Sequence, residues 1–330
     1  MQSFRSFAAG LALVAAPAVA QTAPPPKLVV VISVDQFSAD LFEAYRDQFT
    51  GGFARLLSGV VFPSGYQSHA ATETCPGHST ILTGVRPART GIVGNDWIDF
   101  NAPRDDKTVN CAEDESIAGS TSTNYTVADT HLKVSTVGEW MKLANPATRV
   151  VAVAGKDRSA VMMAGHRPDD IWWFKDNLFV SYAGRTVPRM VARMNAGIAA
   201  RIAEAQEPMD LPQQCTGRSK PIPLGPNKIV GDGRFARAAG DARQFRASAE
   251  FDESILALAA GVAIEMKLGQ GQASDLLIVG ASGTDYVGHA YGDGGSEMCL
   301  QLLALDAYLG KLFAVLDSTG VDYAVALTAD

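Results

Sequence analysis

The chain has 330 residues, 47 % hydrophobic and 19 % charged, with a formal net charge of −7. That length accommodates one large domain or two small ones around a sizeable core. The acidic balance excludes nucleic-acid binding through a general basic surface, and it leaves any anionic substrate to local cations or metals.

The N-terminus reads as a secretory signal. Arg5 supplies the positive end, Phe7 to Val19 is small and apolar, and Ala18-Val19-Ala20 fits a cleavage site after Ala20. The apolar run is shorter than the ~20 residues of a spanning helix. We therefore expect an exported, periplasmic protein without stable membrane association, its mature part covering residues 21–330. Lys27 to Val34 is a continuous apolar run with β-branched residues, suited to a strand buried on both faces, and Asp35 follows it. Phe42, Tyr45, Phe49, Phe53 and Leu56 recur at helical spacing and predict a helix over 37–57.

Ala71 to Gly84 is the most informative stretch. A loop delivers Thr74 just before Pro76-Gly77 and an apolar run, and Gly84 ends the helix so begun. Helix N-termini favour anions, so a threonine there is placed to attack phosphorus; the plainer reading is an ordinary helix cap. Cys75, Cys111, Cys215 and Cys299 form no Cys-x-x-Cys motif. Export permits disulfides, and four cysteines leave three pairings open. Cys75 reads as structural.

Residues 101–130 form a polar stretch, and helical patterns cover 132–143, 190–205, 253–266 and 298–316. Strands are expected at 148–154, 275–280 and 323–327. Residues 207–249, rich in Pro, Gly and Arg, read as an insertion shaping the rim of the site. Strands alternating with helices predict an α/β fold with a mainly parallel central sheet and helices on both faces. Asp35, Lys156, Arg158, Asp285 and Asp330 all fall at or just past the C-terminal ends of strands, where such sheets bind ligands. Asp285 and His289 stand four apart, on one side of a helical turn, and suit shared zinc coordination. Lys156 and Arg158 alternate around Asp157, and on an extended segment both cations point the same way.

The ordered set of motifs carries a resemblance. Val-Ile-Ser-Val-Asp35, Thr-Glu-Thr74-Cys-Pro-Gly-His-Ser-Thr, Gly-Ile-Val-Gly-Asn95, Gly-Lys156-Asp-Arg158, Ala-Ser-Gly-Thr-Asp285-Tyr-Val-Gly-His289 and Leu-Thr-Ala-Asp330 resemble the alkaline phosphatase superfamily. The likeness is to its bacterial alkaline phosphatases with a threonine nucleophile, and it runs over the whole mature chain.

The resemblance implies a two-zinc phosphomonoesterase acting on small-molecule phosphate esters, as a monomer. Thr74 would form a covalent phosphothreonine. Asp35, Asp330 and the Thr74 oxygen would hold one zinc, and Asp285 with His289 the other. Asn95, Lys156 and Arg158 would contact the phosphoryl oxygens. The family continues past the last aspartate with two further histidine ligands, so the chain ending at Asp330 is expected to be a fragment, its fold incomplete at the C-terminus and its metal site short of ligands. A nucleotide pyrophosphatase or phosphodiesterase of the same superfamily is the neighbouring reading, and an inactive fragment the third. Cys75-Pro76-Gly77-His78 does not match the Cys-x-Pro-x-Arg of sulfatases.

Overall fold

The computed structural model describes residues 24–62, 65–226 and 228–330; the secretory signal read over residues 1–20 lies outside them. β1 (Leu28–Val34) leads to α1 (Ala39–Tyr45), α2 (Gly52–Leu57), α3 (Thr74–Thr83), α4 (Pro87–Thr90) and the short strands β2 (Asp96–Ile98) and β3 (Thr108–Asn110). Next come α5 (Val137–Ala144), β4 (Val150–Ala154), α6 (Asp157–Ala164), β5 (Asp170–Lys175), β6 (Leu178–Val180) and α7 (Arg189–Ala203). After β7 (Ile222–Pro223), β8 (Ile229–Val230) and α8 (Ala242–Arg246) follow α9 (Ala249–Glu265), β9 (Asp275–Ala281), α10 (Gly283–Tyr291), α11 (Ser296–Ser318) and β10 (Tyr323–Ala329).

The main sheet has six strands in the order β10-β1-β9-β4-β5-β6. All neighbours are parallel except β5 and β6. β1 and β9 are buried almost throughout, as expected of strands covered on both faces. Val30, Ile32 and Val34 join one core cluster with residues of α9 and α11, while Val31 joins the other with residues of α3 and α6. The predicted α/β architecture is thus observed. β5 and β6 were not anticipated. β10 is an edge strand whose alternate residues are only partly covered, because among the described residues it pairs on one side alone.

The single helix expected over 37–57 is broken. Gly51 and Gly52 lie so close to α11 that a Cβ on either would fall within 2.5 Å of Asp306 or Leu309. The buried Asp306 carboxylate accepts the N–H groups of Thr50, Gly51 and Phe53 at 2.8, 2.6 and 2.7 Å and starts α2 afresh. The helix expected from 132 begins at Val137, because the Glu139 carboxylate turns back on the Thr136 N–H at 2.9 Å. Two disulfides resolve the open pairing: Cys75–Cys111 and Cys215–Cys299. The second staples the 207–249 segment to α11.

Asp306→Ala strands three N–H groups, one of them buried, and should destabilise the fold by about 3 kcal/mol, read as a lower midpoint at unchanged slope in urea denaturation. A stability within ~0.5 kcal/mol of the parent chain would show that the carboxylate does not organise the helix break.

Candidate active site

Strand register assembles the site. Val34 of β1 pairs with Ala281 of β9 and Ala329 of β10. Asp35, Ser282 and Asp330 therefore leave the sheet in one row, at its C-terminal edge. Ala154 of β4 pairs with Gly280, which brings Gly155 and Lys156 into the same row.

α3 crosses above this edge. Thr74 opens it and is buried, and Gly84 closes it with φ +69°. Gly77 is needed for the approach: a Cβ there would stand 2.8 Å from Asp330. Asp330 in turn accepts the Gln36 N–H at 3.0 Å. Asp285 and His289 do lie on one helix, α10, with His289 Nε2 3.3 Å from Asp285 Oδ1. The Asp285 side chain is buried, whereas that of His289 is 72 % exposed.

Lys156 is the hub. Its Nζ lies 2.5 Å from Asp35 Oδ2, 2.7 Å from Asp285 Oδ2 and 3.4 Å from Thr74 Oγ1. Burial alone would lower its pKa, but Asp35 and Asp285 outweigh Arg158 and hold it above the ordinary lysine value. Burial pushes Asp35 up to about 6, against the pull of Lys156 and with help from neighbouring Asp330. The expectation of an extended 156–158 segment is corrected: Lys156 is the N-cap of α6, and Asp157 and Arg158 already belong to the helix. The two cations diverge in partners. The Arg158 guanidinium comes no closer than 3.9 Å to Asp157, and its buried Nε has no hydrogen-bond partner. Asp157 instead accepts from Tyr125 at 2.9 Å, which ties the 101–130 loop to the site.

Asn95 stands opposite. Its Oδ1 accepts the Cys75 N–H at 2.9 Å, and its NH₂ makes no hydrogen bond among the described residues. Two buried side chains were not foreseen as part of the site. His78, one turn after Thr74, places Nδ1 2.7 Å from the Thr74 carbonyl and 3.5 Å from Asp330 Oδ2. Burial lowers its pKa to about 4, so the ring is neutral at pH 7 and Nδ1 carries the proton given to the carbonyl. Asp252 accepts the Gly283 N–H and the Gln301 amide, both at 2.7 Å, and so fixes the start of α10. The i+4 spacing from Thr74 was the available signal for His78. Asp252, inside an apolar helix, gave none.

The donor chemistry fits a divalent cation. Asp35 and Asp285 flank the Lys156 ammonium, and Asp330 lies beside Asp35. Asp35 Oδ2, although near Lys156 Nζ, takes no well-directed hydrogen bond. Among the described residues no three His, Cys, Asp or Glu side chains gather on one point. Asp35 with Asp330, and Asp285 with His289, each offer two donors.

A family model described as type I phosphodiesterase / nucleotide pyrophosphatase matches residues 29–330. The chain is 54 % identical over 310 residues to alkaline phosphatase PhoK of Sphingomonas sp, covering 93 % of this chain and 55 % of that protein. Against alkaline phosphatase PhoD of Zymomonas mobilis it is 46 % identical over 306 residues, covering 92 % and 53 %. It matches the crystal structure of wild-type alkaline phosphatase PafA with a TM-score of 0.81 at 28 % identity, covering 93 % of this chain and 63 % of that one. A second PafA structure carries Thr-to-Ser, Asn-to-Ala, Lys-to-Ala and Arg-to-Ala substitutions. The chain thus spans about half the length of the curated relatives it matches.

Burial, with the nearby charge of Asp35, sets the Asp252 carboxyl at about 6, despite its hydrogen bonds. The folded chain then binds more protons than the unfolded chain between pH ~4 and ~6, so this group lowers stability as pH rises through that window. Asp252→Asn keeps the Gly283 bond, and a turned Gln301 amide offers the new NH₂ its otherwise unpartnered Oε1. The variant should gain on the parent chain by roughly 2–3 kcal/mol between pH 4 and 6 and hold that margin above. Urea titrations across pH check this; a margin independent of pH would refute the buried charge.

Proposed function

The chain belongs to the type I phosphodiesterase / nucleotide pyrophosphatase family of the alkaline phosphatase superfamily, and from that premise we propose that it hydrolyses phosphate monoesters through a covalent intermediate on Thr74. The observation that carries the reading is the Thr74 hydroxyl, 3.4 Å from a buried lysine that two carboxylates keep charged. Support also comes from the PafA variant, whose four substituted residue types follow the chain order of Thr74, Asn95, Lys156 and Arg158. The separations of the first pair and of the last pair are the same.

Thr74 Oγ gives up its proton to solvent and forms the bond to phosphorus as the P–O ester bond breaks and the leaving oxygen takes a proton from water. The Asn95 NH₂ and the Arg158 guanidinium hold non-bridging oxygens, and the latter suits a planar two-point contact. Lys156 places positive charge beside the attacking oxygen. Water then cleaves the phosphothreonine. Zinc is the metal we propose, held by Asp35, Asp330 and Thr74 on one side and by Asp285 and His289 on the other; it would lower the pKa of the Thr74 hydroxyl and neutralise the leaving oxygen. Two disulfides suit an oxidising compartment and support export to the periplasm.

The nearest alternative, diester or pyrophosphate cleavage, draws on the description of the family model. The cationic pair favours monoesters, which present a dianionic phosphoryl group. Lys156→Ala or Arg158→Ala in the full-length chain should reduce monoester kcat/KM at least tenfold more than diester kcat/KM, since charged contacts of this kind carry ~2–5 kcal/mol. Equal losses on the two substrates would overturn the assignment of these cations.

The nucleophile is checked by acid quench during turnover and peptide mass analysis. One phosphoryl group should appear on the peptide containing Thr74, and Thr74→Ala should lose both it and turnover while still binding inorganic phosphate. Phosphorylation that persists in the variant would assign the nucleophile elsewhere.

A further inference from the structure

Asn95 has four hydrogen-bonding groups, and three are committed. Its N–H donates to Glu73 Oε2 at 2.7 Å. Its side-chain oxygen accepts from the Cys75 N–H at 2.9 Å, and its carbonyl accepts from the Cys111 N–H at 2.9 Å. Cys75 and Cys111 are joined by a disulfide and fully buried. Two of the three attachments are therefore parts of one covalent unit. The third, Glu73, is exposed and bound through a carboxylate, a charge-assisted contact.

The position of Glu73 is unexpected for a phosphoryl site. A carboxylate one residue before the nucleophile repels an anionic substrate, so direct contact with the substrate is the wrong role for it. Its oxygen is turned onto the Asn95 backbone instead. A Cβ at Gly94, just before Asn95, would stand 3.6 Å from the same oxygen, at ordinary van der Waals contact, so the two segments lie side by side.

We propose that Glu73 is a positioning residue: it holds the Asn95 backbone against the disulfide-bound start of α3, so that the free NH₂ points at a phosphoryl oxygen. The proposal rests on the reading of Asn95 as a phosphoryl contact. It predicts opposite results for two changes at one position. Glu73→Gln keeps an acceptor for the Asn95 N–H and removes the repulsive charge. Glu73→Ala removes both.

The test is calorimetric titration of the full-length, metal-loaded chain with inorganic phosphate. Glu73→Gln should bind phosphate at least as tightly as the parent chain. Glu73→Ala should bind about five- to tenfold more weakly, the scale of one lost hydrogen bond. Asn95→Ala should weaken binding by tenfold or more, and adding Glu73→Ala to it should cause no further loss. If Glu73→Ala binds as tightly as or tighter than the parent, the side chain acts only through its charge and the proposal fails. If its loss persists in the Asn95→Ala background, Glu73 acts by another route and the proposal fails too. If Asn95→Ala itself leaves phosphate binding unchanged, the failure lies in the reading of the site.

Discussion

A lysine ammonium shared by two buried carboxylates is the interaction on which this molecule turns. Asp35 and Asp285 come from opposite parts of the chain, and both are taken out of water beside Lys156. Desolvating a charge costs several kcal/mol unless it is paired and hydrogen-bonded. Here the pairing is real but incomplete, because Asp330 adds a third carboxylate to the same pocket. Burial is the main cause of the raised Asp35 pKa, and the Asp330 carboxylate adds to it. A site built this way is held in tension by its own negative charge, and a further cation is the most direct means of relieving it. The same arrangement favours the charged form of the lysine next to Thr74.

The scaffold around this charge cluster leaves little freedom. Asp35 and Asp330 follow directly from paired strands, so they cannot move without breaking the sheet. Asp285 rides on a helix whose first turn is fixed by the wholly buried Asp252. Thr74 and Asn95 are joined through Cys75, and Cys75 is bonded to Cys111. Gly77 lets α3 sit on Asp330 at a distance no other residue permits. Groups on rigid elements keep their spacing without a ligand, and for the hydrolysis proposed above pre-organisation of that sort is where electrostatic catalysis gains most.

Much of this was legible in the amino-acid order. The apolar, β-branched-rich run at 28–34 announced a strand covered on both faces, the apolar run from 275 announced another strand, and Asp35 and Asp285 beyond them announced the ligand edge. The spacing of Asp285 and His289 predicted their shared helical face. What stayed hidden depends on distant contacts. Nothing near Gly51-Gly52 shows that Asp306, far along the chain, takes over their N–H groups. The helical start at Asp157 was masked by a local pattern that also suits an extended segment. Asp170-Ile-Trp-Trp-Phe-Lys of β5 carries only four apolar residues between charged ends, and no ligand-bearing residue follows it to draw attention. Disulfide partners are a matter of three-dimensional proximity, which spacing alone does not encode.

The position of β1 in the sheet has a consequence for how the protein is made. The first strand is flanked on both sides by strands from the far part of the chain, β9 and β10. Its hydrogen-bonding partners emerge from the ribosome last among the described residues. Contacts of such long sequence separation are slow to form, because loop closure precedes any gain from pairing. Until then a strongly apolar strand and the segment bearing Thr74 lack their native cover and are open to aggregation and chaperone capture. A chain that must cross a membrane before it folds has the opposite requirement: it benefits from staying unfolded during synthesis. For the export proposed above, a strand whose partners lie in the far part of the described chain supplies such a delay through topology alone.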